Sequence, residues 1–439
     1  MTTSHPSRRL RTPAVAAGLA LTTSAVLIGA GPAAYAAAPH NEQVVLVNET
    51  GAQADAKSMI NGTAQVSSAD GRFVVFSTAA ALVPQDTNDV DDVYLRDTGD
   101  GITILVSAKG TTPGNDYSFE PTISKSGRYV AFTTYSTNLV KDTNGGVLDV
   151  VTKDMFTGRL RLASADSAGH QRAKNSFFPV LSGNGRRVIF QSFARLGTKD
   201  TDRREDVYVH DIARGWTRQV SLTPKGRDVK PPVGDGDVSD DGTLVTFGTS
   251  NDIWVRNVAT GRTTRVWHEP DSPPCQPFPA GSAGRPVISG NARFVAFSTC
   301  ATKIPGADGQ FGQVYRMKLA DRSIRLVSTT GHAPANGDSY LPSLSTSGRY
   351  VGFGSDATDL PVSGVPETSI DPDAFVADLG TGTVDRASEA PDGSESNNWS
   401  ASTAASISGD GHTLVYESYA TNLVAADSYD WEEAFVWRG

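Results

Sequence analysis

Seven times along the chain, a short run of small and polar residues leads directly into a run of apolar ones. The copies read "SADGRFVVF" from Ser68, "SKSGRYVAF" from Ser124, "SGNGRRVIF" from Ser182, "SDDGTLVTF" from Ser239, "SGNARFVAF" from Ser289, "STSGRYVGF" from Ser345 and "SGDGHTLVY" from Ser408. Their central positions, Gly71, Gly127, Gly185, Gly242, Ala292, Gly348 and Gly411, are 56, 58, 57, 50, 56 and 63 residues apart. Asp-Gly, Asn-Gly and Ser-Gly suit a tight turn, because glycine adopts positive φ without a Cβ clash. The fifth copy has Asn291-Ala292 instead, and Asn291 is expected to take the left-handed strain there. The apolar run has no polar alternation, which predicts a strand covered on both faces.

A third strand-like run follows in each unit, such as "DVYLRD" from Asp92, "DVVTKD" from Asp149 and "DVYVHD" from Asp206. A turn then leads to a fourth, such as "ITILVS" ending at Ser107 or "RLRLAS" ending at Ser164. Nothing from residue 42 to 439 keeps a helical period. Four short strands per unit of 50 to 63 residues predict an all-β, seven-bladed β-propeller of four-stranded antiparallel blades. The seventh unit stops at "EEAFVWRG", after its third strand, whereas "EQVVLVNETGAQ" from Glu42 reads as a fourth strand preceding the first unit. Joining the two completes the last blade and removes the open ends of the array. The propeller therefore spans residues 42–439.

Residues 1–36 stand apart. Arg8, Arg9 and Arg11 precede an apolar stretch from Ala14 to Ala30, and Ala34-Tyr35-Ala36 offers a signal peptidase site, so 1–36 reads as a signal peptide and the protein as secreted or extracytoplasmic. Arg8-Arg9 leaves the twin-arginine and general routes both open. No later stretch is apolar long enough to span a bilayer. Removing residues 1–36 moves the formal charge from −9 to −12, and the remainder has no basic cluster, which argues against nucleic acid as a partner. The only cysteines, Cys275 and Cys300, are expected to form a disulfide in an exported chain.

Two features carry candidate chemistry. Loops between second and third strands repeat oxygen-bearing side chains: Asp86, Asn88 and Asp92; Asp142, Asn144 and Asp149; Asp200, Asp202 and Asp206. Hard cations such as calcium take such ligands, although the spacing lacks the glycine and terminal glutamate of an EF-hand. The competing reading is that Asp and Asn bond their own backbone, and no cofactor is assigned. The second feature lies on the strand before each central turn, expected to line the channel. There Ser118, Ser176, Ser339 and Ser402 take matching places, with Tyr117, Phe178, Tyr340 and Trp399 nearby as ligand-binding candidates. A crowded hub would favour serine without any ligand. The histidines at 170, 210, 268, 332 and 412 fall in separate units and do not converge. The arginines at 72, 128, 186, 293 and 349 are expected to bridge to aspartates ending third strands.

The phrases resemble the WD-like repeats of the TolB-like β-propeller family, with "S-x-D/S-G-R-Y-V-A-F" and then "N-L-V-x-x-D-T-N-x-x-x-D-V-Y-x-x-D", visible from Asn138 to Asp154, from Leu82 to Asp97 and at Asn422-Leu423-Val424. The family's α/β domain has no counterpart between residue 36 and the first strand, so the family's partners do not carry over. The expectation is a monomeric, non-enzymatic scaffold that binds a protein, peptide or cell-wall glycan. The alternative is a carbohydrate-active lyase or hydrolase acting at the channel.

Overall fold

The computed structural model describes residues 40–43, 56–60, 64–202, 204–229, 234–249, 251–268, 284–307, 309–362, 365–366, 368–424, 427 and 431–439. Residues 1–36, expected to be a signal peptide, Val44 to Val47 and Cys275 lie outside them. Seven four-stranded antiparallel sheets follow one another around a ring, giving a seven-bladed β-propeller. Blade two shows the common order: Ser118–Ile123, Tyr129–Thr134, Asp149–Asp154 and Arg159–Leu162. In blade seven the order is Ser400–Ile407, Thr413–Ser418, Glu433–Arg438 and, from the other end of the chain, His40–Gln43. His40 pairs with Arg438 and Gln43 with Phe435, so the closure expected from the sequence is present.

The doubly apolar second strands form the centre of each blade, and Phe73–Thr78 is buried at every position. In six of the seven phrases the late phenylalanine or tyrosine lies directly opposite a ring of the third strand. Phe76 stacks on Tyr94 with centroids 5.8 Å apart, Phe190 on Tyr208 at 6.0 Å, Phe297 on Tyr315 at 6.1 Å and Tyr416 on Phe435 at 6.0 Å. Such pairs add about 0.5–1.5 kcal/mol beyond their burial. Blade two places Val151 opposite Phe132 and has no stack at that position.

The recurring serine organises the turn. Ser124 Oγ accepts the N–H of Tyr129 at 3.0 Å, and the Ser124 carbonyl accepts the N–H of Gly127 at 2.9 Å. The same pair of bonds recurs from Ser68, Ser182, Ser239, Ser289, Ser345 and Ser408. In blade five it is Ala292, with φ of 60°, that adopts the left-handed conformation, rather than Asn291; the position and not the residue type sets the backbone. Arg72, Arg128 and Arg349 make the expected forks, with bonds of 2.6–3.1 Å to Asp97, Asp154 and Asp378. In blade three, Asp211 is instead approached by Arg187 and Arg214.

The second residue of each phrase ties the blades together. Backbone N–H groups donate to the next blade from Ala69 to Lys125 (2.9 Å), Lys125 to Gly183 (3.0 Å), Asn184 to Asp240 (2.8 Å) and Asp240 to Gly290 (3.0 Å). The series continues from Asn291 to Thr346, Thr346 to Gly409 and Asp410 back to Ala69, each at 2.9 Å. One bond per blade junction thus makes an unbroken belt around the axis. Side chains at the second position alternate in size around it: Ala69, Lys125, Gly183, Asp240, Gly290, Thr346, Gly409. A Cβ on Gly183 or Gly290 would lie 2.5 or 2.2 Å from an Asp240 carboxylate oxygen. Lys125 Nζ crosses the axis to Asp240 Oδ2 at 2.7 Å and to Thr346 Oγ1. This end of the channel is reduced to a cavity of about 40 Å³, walled by first-strand residues such as Leu181, Asp237, Val287 and Ser343.

Each turn glycine also receives the neighbouring blade. A Cβ on Gly127, whose φ is +73°, would lie 2.6 Å from the Phe73 ring. Gly127→Ala is therefore expected to destabilise by about 1–3 kcal/mol in urea titrations. Because Ala292 tolerates the same backbone region, most of that loss comes from the clash, and Phe73→Leu in the same chain should recover part of it. Equal losses with and without Phe73→Leu would contradict this packing.

Candidate functional site

Antiparallel order places the serine turns at one end of the ring. The second-to-third-strand loops and the crossings between blades lie at the other. Lys125, Asp240 and Thr346 meet across the axis at the serine-turn end, and the sequence candidates lie toward the other end.

At that end the acidic loops act first as latches. Asp92 accepts from Ser107 Oγ at the end of the fourth strand and from Asn88 Nδ2 at 2.8 Å, and Tyr94 Oη donates to Asp86. Ser164 Oγ donates to Asp149 at 2.7 Å, and Asn144 Nδ2 lies 3.1 Å from the same carboxylate. Ser221 Oγ donates to Asp206 at 2.5 Å, and Tyr208 Oη to Asp200 at 2.7 Å. Gln313 replaces the aspartate in blade five and still accepts from Ser328 at 2.5 Å. Burial pushes the Asp92 carboxyl up to about 6, against the opposing pull of Ser107 and Asn88. Among the described residues, Asp200, Asp202 and Asp206 form the one trio of His, Cys, Asp or Glu with ligand atoms all within 4.8 Å. They are the calcium candidates that the fold brings closest together.

The serine candidates are spent within their own blades. Ser118 Oγ bonds Thr134 Oγ1 at 2.9 Å, Ser176 bonds Ser192 at 2.8 Å and Ser339 bonds Ser355 at 2.8 Å, all buried. In blade seven the residue in that register is Ser400, bonded to Ser418 at 2.7 Å, not Ser402, whose side chain lies outside the described residues. Tyr340 is also buried, its Oη donating to Asp356 at 2.9 Å. Tyr117, Phe178 and Trp399 are exposed, with Tyr117 at 47% and Trp399 at 52%.

These exposed rings form part of a regular crown. In each of four blades, the residue before the first strand accepts a backbone N–H from the residue just after the second. The pairs are Tyr117 with Tyr135, Asn175 with Phe193, Asp338 with Asp356, and Trp399 with Tyr419, at 2.9–3.1 Å. The crown thus carries aromatics on blades two, three and seven and carboxyls on blade six. Burial raises both the Asp338 and Asp356 carboxyls above the ordinary range. Lys57 of blade one pairs with Glu432 at 2.5 Å, and Trp399 Nε1 donates to Asp371 at 2.9 Å.

Just below the crown the innermost strands bulge. Register shifts lie between Phe119 and Thr122, Phe177 and Val180, Tyr340 and Ser343, and Ser400 and Ala405. Glu120, Phe178, Leu341 and Ala401 take φ of 53°, 50°, 49° and 55° there. Such strain costs about 1–3 kcal/mol per residue and re-aims side chains. Glu120 Oε2 uses it to accept from Thr133 Oγ1 at 2.7 Å and from the Phe178 N–H of the next blade at 2.8 Å. Phe178 is among the sequence candidates, whereas Glu120, Leu341 and Ala401 are not; "SFEP", "SFFP" and "SYLP" mark the first three bulges. A proline inside a strand signals a bulge because it has no N–H for the ladder.

The histidines stay apart: His170 is beside Asp166, His268 beside Asp252, His412 at the Gly439 carbonyl, and His210 buried against Thr217. Cys300 is buried at the end of a second strand, and its pairing with Cys275 remains an expectation.

No family model and no curated protein matches the chain. Among solved structures, it resembles an oligogalacturonate lyase from Vibrio parahaemolyticus with a TM-score of 0.54 and 11% identity, over 91% of this chain and 96% of that one. TolB from Acinetobacter baumannii is a more distant likeness, with a TM-score of 0.41 and 12% identity over 84% of this chain and 81% of that one. At these identities the likeness is one of fold.

The latch carboxyls set a pH dependence. Asp92 holds a proton more firmly folded, at about 6, than in an unfolded chain, at about 3.9. Its contribution is fully present below the unfolded value and is lost as pH rises through the folded one. Stability of the full chain is expected to fall between pH 4.5 and pH 7 by on the order of 1–3 kcal/mol from this group. Asp92→Asn, the kind of exchange Gln313 makes in blade five, should flatten that slope in urea melts. An unchanged slope would refute the assignment.

Proposed function

We propose that this protein is an exported, non-enzymatic propeller that captures a protein, peptide or cell-wall glycan chain at the open mouth of its ring. The observation that carries the reading is the crown. Tyr117, Phe193 and Trp399 of the crown, with Phe178 of the bulge beneath it, stay exposed, while most rings of the second and third strands are stacked inside blades. Exposed rings on a rigid scaffold provide contact area at little ordering cost, and polar neighbours fix orientation. Residues 1–36 act as the signal for export, and a Cys275–Cys300 disulfide suits the oxidising side of the membrane. Among the described residues, no helix is long and apolar enough to cross a membrane.

Titrating the protein with peptide and cell-wall glycan panels while following tryptophan fluorescence tests this. Trp399→Ala and Tyr117→Ala should each weaken the ligand found by about 10-fold or more, with unchanged melting temperature. A ligand that binds both variants as well as the parent does not use the mouth.

A second reading, a carbohydrate-active lyase or hydrolase, draws support from blade six. There two carboxyls with raised pKa, Asp338 and Asp356, adjoin the Tyr340 hydroxyl. Carboxyls whose burial favours the protonated form, set beside a hydroxyl, are the kind of group that transfers protons. Turnover of a polysaccharide that drops at least 100-fold in Asp356→Asn would favour it over simple capture; no turnover on a broad panel would remove it.

A further inference from the structure

Charge is unevenly distributed around the ring. Residues 109–229, blades two and three with the crossings that enter and leave them, hold 19 Lys and Arg against 12 Asp and Glu, a formal +7 in a chain whose total is −9. Part of that excess gathers on the outer rim. A cleft of about 850 Å³ runs along the outermost strand of blade two, Arg159–Leu162, between Lys109, the 139–141 segment and the crossing at 169–171. Ligand pockets span about 300–1,000 Å³.

Lys109, Lys141 and Arg159 are exposed there, and no described carboxylate pairs with them. The neighbouring acids are engaged elsewhere: Asp142 accepts the N–H groups of Asn144 and Gly146, Asp154 takes the Arg128 fork, and Asp166 takes His170 and Arg172. A fourth cation, Lys153, is buried opposite Leu160 and donates to the Val106 and Ala108 carbonyls at 2.7 and 2.8 Å. Burial pushes its pKa down to about 8, so it stays mostly charged at neutral pH.

The strand itself offers a backbone edge. The Ala163 N–H donates to the Val150 carbonyl at 2.8 Å, and antiparallel alternation from that pair turns the backbone groups of Leu160 and Leu162 outward, where no described residue bonds them. All of 158–162 borders the cleft, so the cleft follows the edge of the strand and not one face. Arg159 and Arg161 lie on one face and Leu160 and Leu162 on the other. Leu160 and Val140 pack against the core between blades one and two, and the cleft has no phenylalanine, tyrosine or tryptophan on which a sugar ring could stack. Ile102, Ser323 and Thr383 stand at the place of Arg159 in blades one, five and six, so the ring symmetry is broken here.

We propose that this edge receives an added strand, an extended acidic segment of a partner protein in which Asp or Glu alternates with aliphatic residues. Its backbone pairs with Leu160 and Leu162, its carboxylates face Arg159 and Arg161, and its aliphatic side chains cover Leu160 and Val140. Lys109 and Lys141, beside that floor, steer the segment in. The site is on an outermost strand, apart from the crown on the innermost ones, and does not rest on capture at the mouth.

Fluorescence anisotropy with the full chain tests this, using labelled peptides of about eight residues that alternate Glu with Val. They should bind at least about 10-fold more tightly than Gln–Val peptides of the same pattern, and more tightly than peptides with the same Glu and Val residues grouped in blocks. Lys141→Glu combined with Arg159→Glu should weaken the Glu–Val peptides by about 10-fold or more. That variant should melt no lower than the parent, because it relieves repulsion among the cations. Trp399→Ala should leave the affinity unchanged, which separates this edge from the crown. Equal binding of Glu–Val and Gln–Val peptides, or of the parent and the charge-reversed chain, overturns the proposal. So does a sulfated oligosaccharide or an oligonucleotide that occupies the cleft more tightly than any of the peptides.

Discussion

Everything in this molecule depends on a circle of seven backbone hydrogen bonds around its axis. Each joins the turn of one blade to that of the next, and the last, from Asp410 to Ala69, closes the circle. A strand array left open would expose unpaired edges at both ends. Here the chain closes twice, once at the hub through the turns and once at the periphery where His40–Gln43 completes blade seven. The hub bonds demand that seven backbones approach one axis, which explains the residues found there. Glycine or alanine alternates with Lys125, Asp240 and Thr346 because there is room for a side chain from only every other blade.

Closing one end of the channel has a functional consequence. Under the proposed capture function, a ligand would meet the ring at the opposite face. There the inner strands end in the crown, and bulges at Glu120, Phe178, Leu341 and Ala401 bend the innermost strands beneath it. The repeated turn is uniform because it builds the hub. The crown varies from blade to blade, with rings on some and carboxyls on others, because its recurring bonds run through the backbone and leave the side chains unconstrained by the ring.

The architecture was legible because its determinants are local. Ser124 reaches Tyr129 five residues away, and Phe76 meets Tyr94 across a single hairpin, so each unit carries its own instructions. What the sequence concealed are relations between units. The alternation at the second turn position looks like turn filler until seven turns are set around one axis. The latch was written at a constant spacing, Asp92 to Ser107, Asp149 to Ser164 and Asp206 to Ser221. Reading it requires knowing that the start of a third strand meets the end of a fourth. The serine candidates repeat for a local reason. Ser118 and Ser176 repeat because they pair across their own sheets. In blade seven the bulge at Ala401 shifts that register, so that Ser400 and not Ser402 matches them. A residue in the left-handed region before proline runs against the usual preference, so the proline at 121 or 179 marks a bulge without foretelling the backbone of Glu120 or Phe178.

The central claim is that the hub belt is a single cooperative structure. Native-state hydrogen exchange of the full chain tests it most directly, by following the amides of Ala69, Lys125, Asn184, Asp240, Asn291, Thr346 and Asp410. If the belt holds the ring, these seven, though they sit in turns, exchange last and together, with the free energy of global unfolding. If any of them exchanges early while the second strands remain protected, the blades stand without the belt and the account is wrong.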